Sequence, residues 1–517
     1  MVQIKTSDNF DIGTIPIEKF IHSTSGFDLV DALLFVQRVS AELKNYVHKK
    51  VFVLSPQAPN YLDKWFLITT EANAFIAKHL INFSSEISYR KYDAHRHSDS
   101  VIYYHHLETD LHYSNSNDPQ AYKWCIRAMN QQFHYLRPLN HIMGRYLILL
   151  KKMKVREDDT INRMSNEVFG LTPQDIMIIG TCMYAVVLQN KILSLKNLLN
   201  HTIGSPVIKS VLTADKINKF LDLYSIDVES FRNESLKWKF PNLIYLLYKY
   251  EFNPLWSYPI IKTKSLEPDK KYIVPSLADL VYASSEGIYY KLMDKFREEG
   301  NKNEFSTKFG YVFQQYIAYL IGEAGISFEE CDVSSKKNKP RPDYLIKEDS
   351  KVIQIEVKKR VMSNEARACV GNKLEEYIDS LSEDIYRQLF TPLQHYPNYI
   401  VYNVIVALDE WYYFEEEIKS IIEERLKKKA EEHNENIDRF KFHLLGCSDF
   451  EILCQFIKDN KGINIFDLLH EKEGKTFYYK GFSELLSEKY SYQPTSMSFT
   501  NSAFGELFRS ILNKRSL

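Results

Sequence analysis

A chain of 517 residues is long enough for at least two domains and for a substantial core. Hydrophobic content of 44% and charged content of 26% are those of an ordinary globular protein. A formal net charge of −1 excludes wholesale coating of nucleic acid, so any nucleic-acid surface has to be a local patch.

In chain order, Met1 to Phe20 carries Asp8 and Asp11 and no apolar segment, unlike a secretory signal. Leu29, Leu33, Leu34, Val36 and Val39 predict a helix near Asp28 to Val47, and a second is expected from Leu62 to Ile81. His95, His97, His105, His106 and His112 crowd one polar segment, but no fixed ligand spacing supports zinc, and exposed loop histidines are the expectation. Ala121 to Met153 reads as helix. Thr172-Pro173-Gln174-Asp175 then starts a helix through Ile176 to Leu199, with a Thr cap, a first-turn Pro and an Asp favourable to the dipole. The longest apolar stretch, Ile176 to Leu188, is too short and interrupted to span a bilayer, so no membrane is expected. Another helix is read at Ala214 to Leu223, which leaves 1–239 as a mainly α-helical region. Residues 240–300 form a Pro- and aromatic-rich connecting segment of short strands and turns, returning to helix at Leu277 to Arg297. Glu298 to Asn303 is the linker candidate, with a boundary near residue 300.

Beyond it, Phe309, Val312, Phe313, Tyr316, Ile317, Leu320 and Ile321 recur at helical spacing, with Ser306 as N-cap and Gly322 and Gly325 as stop. Ile326 to Val333 reads as a strand. Arg341 to Ile346 and Val352 to Lys358 read as two strands joined by a charged turn. Alternation puts Ile353, Ile355 and Val357 on a core-facing side, and Gln354, Glu356 and Lys358 on the other, at the edge of the core. Asp343 opens the first strand, so hairpin pairing can bring it across from Glu356. Two carboxylates and a lysine on one sheet face suit a hard divalent cation and a phosphate. The segment Asn364 to Phe390 is again helical, Tyr399 to Leu408 is a strand buried on both faces, and a charged helix, a strand near Phe440 to Leu445 and a helix at Asp449 to Ile457 follow. The domain is thus placed at 301–490, with a Ser/Thr-rich, partly disordered tail at 491–517.

Pro342-Asp343 and Glu356-Val357-Lys358, with their spacer, resemble the motif of the PD-(D/E)XK, or restriction-endonuclease-like, nuclease superfamily. The resemblance covers the C-terminal two fifths of the chain and implies an α/β domain with an αβββαβ core, a mixed central sheet flanked by helices. It further implies a magnesium-dependent (or manganese-dependent) endonuclease acting on DNA, with RNA as the alternative to DNA. Asp343, Glu356 and the Val357 carbonyl are then the metal ligands, and Lys358 holds the attacking water and offsets phosphate charge. Gln314 stands where many members carry a glutamate on the preceding helix, a departure that disfavours a second metal, and it is expected to bond a metal-bound water or phosphate. Gln388 falls where some members place a polar residue. Lys336, Lys337, Lys339 and Arg341 precede the motif, and Lys359 and Arg360 follow it, as candidate phosphate contacts. An acidic cluster without its cation is expected to destabilise the metal-free protein slightly.

By family association, a nuclease fused to a long accessory region looks like a bacterial anti-phage defence protein. Residues 1–239 are then a sensor, regulator or docking surface for a partner protein or a second copy. Scattered cysteines without a CxxC pair fit reduced thiols and a cytoplasmic protein. The alternative is a nuclease-fold module, weak or inactive in catalysis, that binds nucleic acid or scaffolds a larger complex.

Overall fold

The computed structural model describes residues 27–43, 70–88, 91–92, 126, 130, 135, 139–153, 160–200, 206–238, 251–331, 341–408, 410, 415–437, 440–492 and 497–512. The histidine cluster from His95 to His112 and the loop lysines Lys336, Lys337 and Lys339 lie outside these residues.

The helical region follows its apolar spacing. Helix α1 (Leu29–Leu43) buries Leu29, Leu33, Val36 and Val39 in one cluster with Phe75, Ile76 and Leu80 of α2 (Thr70–Phe83). Then come α3 (Leu139–Leu147), which runs into a π turn at Ile148–Lys152, α4 (Thr160–Phe169) and α5 (Pro173–Asn190). The residues before α5 act as their types dictate. Thr172 Oγ1 accepts the Asp175 N–H, the Asp175 carboxylate accepts the Thr172 N–H, and Pro173 takes the first helical position. The helix stops at Asn190, short of the expected Leu199, because Lys191 adopts left-handed backbone with φ 61°, and α6 (Leu195–Asn200) resumes after it.

After α7 (Pro206–Val211) and α8 (Ala214–Tyr224), β1 (Ser225–Asp227) leads into α9 (Val228–Lys237). The Pro-rich segment supplies β2 (Ile260–Lys262), parallel to β1, and β3 (Tyr272–Ile273), antiparallel to β2. Helices α10 (Leu277–Ala283) and α11 (Gly287–Glu298) precede α12 (Lys302–Glu323). Ser306 therefore sits inside α12 rather than capping it. The expected boundary near residue 300 is a tight helix–helix turn, with Gly300 at φ 77° and Phe296 stacked on Phe305 across it at 5.5 Å between centroids.

The second sheet is built from β4 (Glu329–Glu330), β5 (Tyr344–Glu348) and β6 (Lys351–Lys358), then α13 (Asn364–Arg367), α14 (Lys373–Ile385) with a π turn at Tyr386–Phe390, β7 (Ile400–Ala407), α15 (Glu415–Glu432) and β8 (Phe442–Gly446). Its order is β4-β5-β6-β7-β8, antiparallel up to β6 and parallel from there on. The first strand is two exposed residues instead of the expected run Ile326 to Val333. Strand alternation separates two apolar layers. Ile353, Ile355, Val357, Val404 and Val406 share a core with Phe309, Val312 and Phe313 of α12. Ile405, Ala407, Phe442 and Leu444 share another with Leu381 and Ile385 of α14 and Ile422 of α15. The face of Gln354, Glu356 and Lys358 is therefore roofed by α14 and not the rim of the core: Gln354 is fully buried, and its amide donates to Asn403 Oδ1 at 2.9 Å.

The chain closes with α16 (Cys447–Asp459), α17 (Ile465–Lys472), α18 (Phe482–Tyr490) and α19 (Ser498–Leu512). The last of these places a helix in the segment read as a Ser/Thr-rich tail; residues 493–496 and 513–517 lie outside the described residues. This helix packs on α3, close enough that a Cβ on Gly144 would lie 2.1 Å from the Thr500 carbonyl oxygen. One apolar core includes Met143 and Ile178 of the helical region, Phe309 and Ile355 of the α/β part, and Phe450 and Leu485 after it. A buried polar network ties the same parts together. Arg145 of α3 makes a two-bond fork to Glu451 at 2.8 and 2.7 Å and reaches Glu410 at 2.9 Å, and Tyr316 of α12 donates to Glu451. The Arg145 guanidinium holds the Glu451 carboxyl well below the usual range against a large desolvation. No single helix among the described residues is long and apolar enough to cross a membrane.

Candidate active site

The β5–β6 register places Tyr344 opposite Ile355 and Glu348 opposite Lys351, so the next pair along is Asp343 and Glu356. Backbone pairing continues that far, with the Asp343 N–H donating to the Ile355 carbonyl at 2.9 Å. The Asp343 carboxylate is fixed on both oxygens: Oδ2 accepts the Val357 N–H and Oδ1 accepts Gln314 Nε2, each at 2.8 Å. Gln314 is itself set by Tyr344, whose hydroxyl donates to the Gln314 carbonyl at 2.8 Å. Burial pushes the Tyr344 phenol up, so it remains a neutral donor. Glu356 Oε1 pairs with Lys358 Nζ at 2.9 Å. Asp343 and Glu356 are 4% and 3% exposed, and acids so deep are stable only with such donors.

Past Glu356 the side chains keep alternating, and the two sides go to different helices. Lys359 turns to α12, where its ammonium donates to the Ser306 carbonyl and its stem passes over Gly310. A Cβ on Gly310 would lie 3.1 Å from Lys359 Cδ, so glycine leaves the room this side chain occupies. Burial holds the Lys359 ammonium down at about 8. Lys358 and Arg360 turn to α14 instead. Lys358 Nζ and Arg360 Nη2 each lie 3.4 Å from Asp384 Oδ2, and Arg387 Nη2 lies 3.6 Å from Asp384 Oδ1. Of the two residues expected to reach phosphate beyond the motif, Arg360 stands at the rim, while Lys359 is docked on α12. Arg341 is exposed at the mouth of β5.

Asp384 and Arg387 were not singled out in the sequence. Their signal is faint: Asp384 lies beside Ile385 and one turn from Leu381, at the margin of the apolar stripe that covers β6. Gln314 faces the carboxylates, its amide donating to Asp343.

Among the described residues no group of three or more His, Cys, Asp and Glu gathers as a metal site. The donor set at the end of β6 is smaller: Asp343, Glu356 and the Val357 carbonyl, which in an extended strand points to the same side as the Val357 N–H that Asp343 accepts. Two carboxylates and a carbonyl fit magnesium, which takes one or two protein carboxylates and fills the remaining positions with water and phosphate oxygens. Comparison of the chain with protein-family models, curated protein sequences and solved structures gives no match.

Proposed function

We propose that this chain is a metal-dependent endonuclease of PD-(D/E)XK type that hydrolyses phosphodiester bonds in DNA. The observation that carries the reading is the hairpin register that makes Asp343 the partner of Glu356, with Lys358 on the Glu356 face. The helix, strand, hairpin, helix, strand order around it supports the same reading. By family association alone, the setting is bacterial defence against phage or foreign DNA.

In this mechanism Asp343, Glu356 and the Val357 carbonyl hold magnesium, with manganese as its substitute. When bound, the ion supplies a Lewis acid for the phosphate and lowers the pKa of a coordinated water. Gln314 and the Val357 amide keep Asp343 from rotating, so one ligand is in place before substrate arrives. Lys358, 2.9 Å from Glu356, sets its ammonium beside the reacting phosphate and offsets charge on its oxygens. Gln314 adds no charge, so the arrangement favours one metal over two.

A second reading has an observation of its own: both Asp343 oxygens and Glu356 Oε1 already have protein donors. Such a site fits a nuclease-fold module that binds nucleic acid without cutting it. Incubation of supercoiled plasmid with the protein separates the two. Conversion to open circles with magnesium and none with chelator supports the nuclease. DNA retention without conversion, with either magnesium or manganese, supports the binding module.

A further inference from the structure

We propose that Asp384 gathers Lys358, Arg360 and Arg387 into a seat for a second backbone phosphate of the DNA, next to the one that is cut. The inference rests on the nuclease reading and adds a positioning residue and a phosphate contact to it. Three cations converge on one carboxylate: Lys358 and Arg360 at 3.4 Å from β6 and its extension, and Arg387 at 3.6 Å from the π turn that follows α14. A surface helix pair would explain Arg387 and Asp384 alone, three residues apart, but not the two cations that arrive from the sheet. Lys358 and Asp384 are the recessed members, their side chains 13% and 18% exposed, while the side chains of Arg360 and Arg387 are 39% and 58% exposed. The Ser380 hydroxyl, one turn back on α14, accepts from Arg360 and fixes it further.

The neighbouring acids do not quench this cluster. Asp379 pairs with Arg425 of α15 at 2.8 Å, and Glu383 pairs with Lys429 of α15. Counting Glu356 and Asp384 against Lys358, Arg360 and Arg387 leaves one positive charge in this cluster, next to Asp343, on a chain whose formal total is −1. That surplus, with half-exposed planar donors, suits a phosphodiester oxygen pair. Asp384 holds the cations in place while the seat is empty and competes with the phosphate when it fills. Its two effects therefore have opposite signs: it weakens binding and it fixes Lys358 for the reaction.

The test measures anisotropy of a fluorescein-labelled DNA duplex in chelator across a salt series, and cleavage of the same duplex in magnesium. Asp384→Asn, nearly isosteric, is expected to bind the duplex roughly threefold to tenfold more tightly and to lower kcat roughly tenfold, and Asp384→Glu to restore kcat. Arg387→Gln, at an exposed position, is expected to weaken binding and to reduce the slope of log affinity against log salt by about one. If wild type binds and cuts but Asp384→Asn loses binding and turnover together, or Arg387→Gln keeps the wild-type slope, the cluster is structural and the inference fails alone. If wild type neither binds nor cuts the duplex, the nuclease reading fails and the phosphate seat with it.

Discussion

Asp343 accepts two N–H donors while nearly buried, which weighs against the expectation that a metal-free acidic pair is a burden. Removing it orphans the buried Val357 amide and the half-buried Gln314 amide, and a buried donor left unmade costs about 1–3 kcal/mol. Asp343→Ala should therefore lower the stability of the metal-free protein by roughly 1–3 kcal/mol in urea unfolding. An unchanged or higher midpoint would show that these donors find other partners. Gln314→Ala removes one of the two restraints and should slow cleavage roughly tenfold, since about 1.4 kcal/mol is a factor of ten. Gln314→Glu sets a carboxylate against Asp343 where an amide now donates. It should unfold more easily without metal and reach half-maximal cleavage at lower magnesium. A magnesium titration that is identical in all three proteins would place Gln314 outside the site. The pairing of Asp343 with Glu356 was legible in the sequence because strand alternation and a short charged turn leave little freedom in register. That Gln314 would address Asp343 was not, since it depends on the rotation of α12 about its axis.

At the scale of elements, the helix, strand, hairpin, helix, strand order from α12 to β7 was legible, while element ends and several elements, α4, β1, α9, α17 and α18 among them, were not. Positive-φ residues did much of the cutting. Lys191 ends α5, and Cys369 at φ 52° and Gly371 at φ 54° break the expected continuous helix between Asn364 and Phe390 into α13 and α14. The docking of α19 on α3 was illegible because its Ser/Thr-rich approach looks like linker, while the decisive residue is a glycine 356 positions earlier (500 − 144). A Cβ at Gly144 meets backbone, which no rotamer change relieves. Gly144→Ala should therefore lose roughly 1–3 kcal/mol to overpacking, more than the roughly 1 kcal/mol that alanine gains in a helix. Limited proteolysis should then release the α19 segment faster than from wild type. A stabilised Gly144→Ala protein would show that the two helices do not approach this closely.

Across the whole molecule, the helical region and the α/β part share one core and one buried ion network. Composition cannot report this, because a shared core uses the same residue types as two separate ones. Buried charge in the helical region leaves a pH signature. Lys78 is 1% exposed, donates to the Glu251 carbonyl at 3.1 Å, and is held down at about 8 from 10.5 by burial. Between about pH 8 and 10.5 the unfolded chain binds the proton that the folded one has released, so this group raises stability with pH in that window. Below it the penalty is fully present. Relative to Lys78→Met, wild type should gain up to about 3 kcal/mol across the window, since each pKa unit is worth about 1.4 kcal/mol. A constant difference between the two proteins would mean that Lys78 is charged in a wetter place than the fold indicates.

The central claim is that Asp343 and Glu356 act as a metal-holding pair, and single-turnover cleavage of labelled DNA in magnesium tests it most directly with Glu356→Gln. That change keeps the shape of the side chain and removes the charge paired with Lys358. Wild type should cut. Glu356→Gln, folded by circular dichroism, should be slower by more than about a thousandfold, which corresponds to a loss of about 4 kcal/mol of transition-state stabilisation. Cleavage by Glu356→Gln at the wild-type rate would contradict the account.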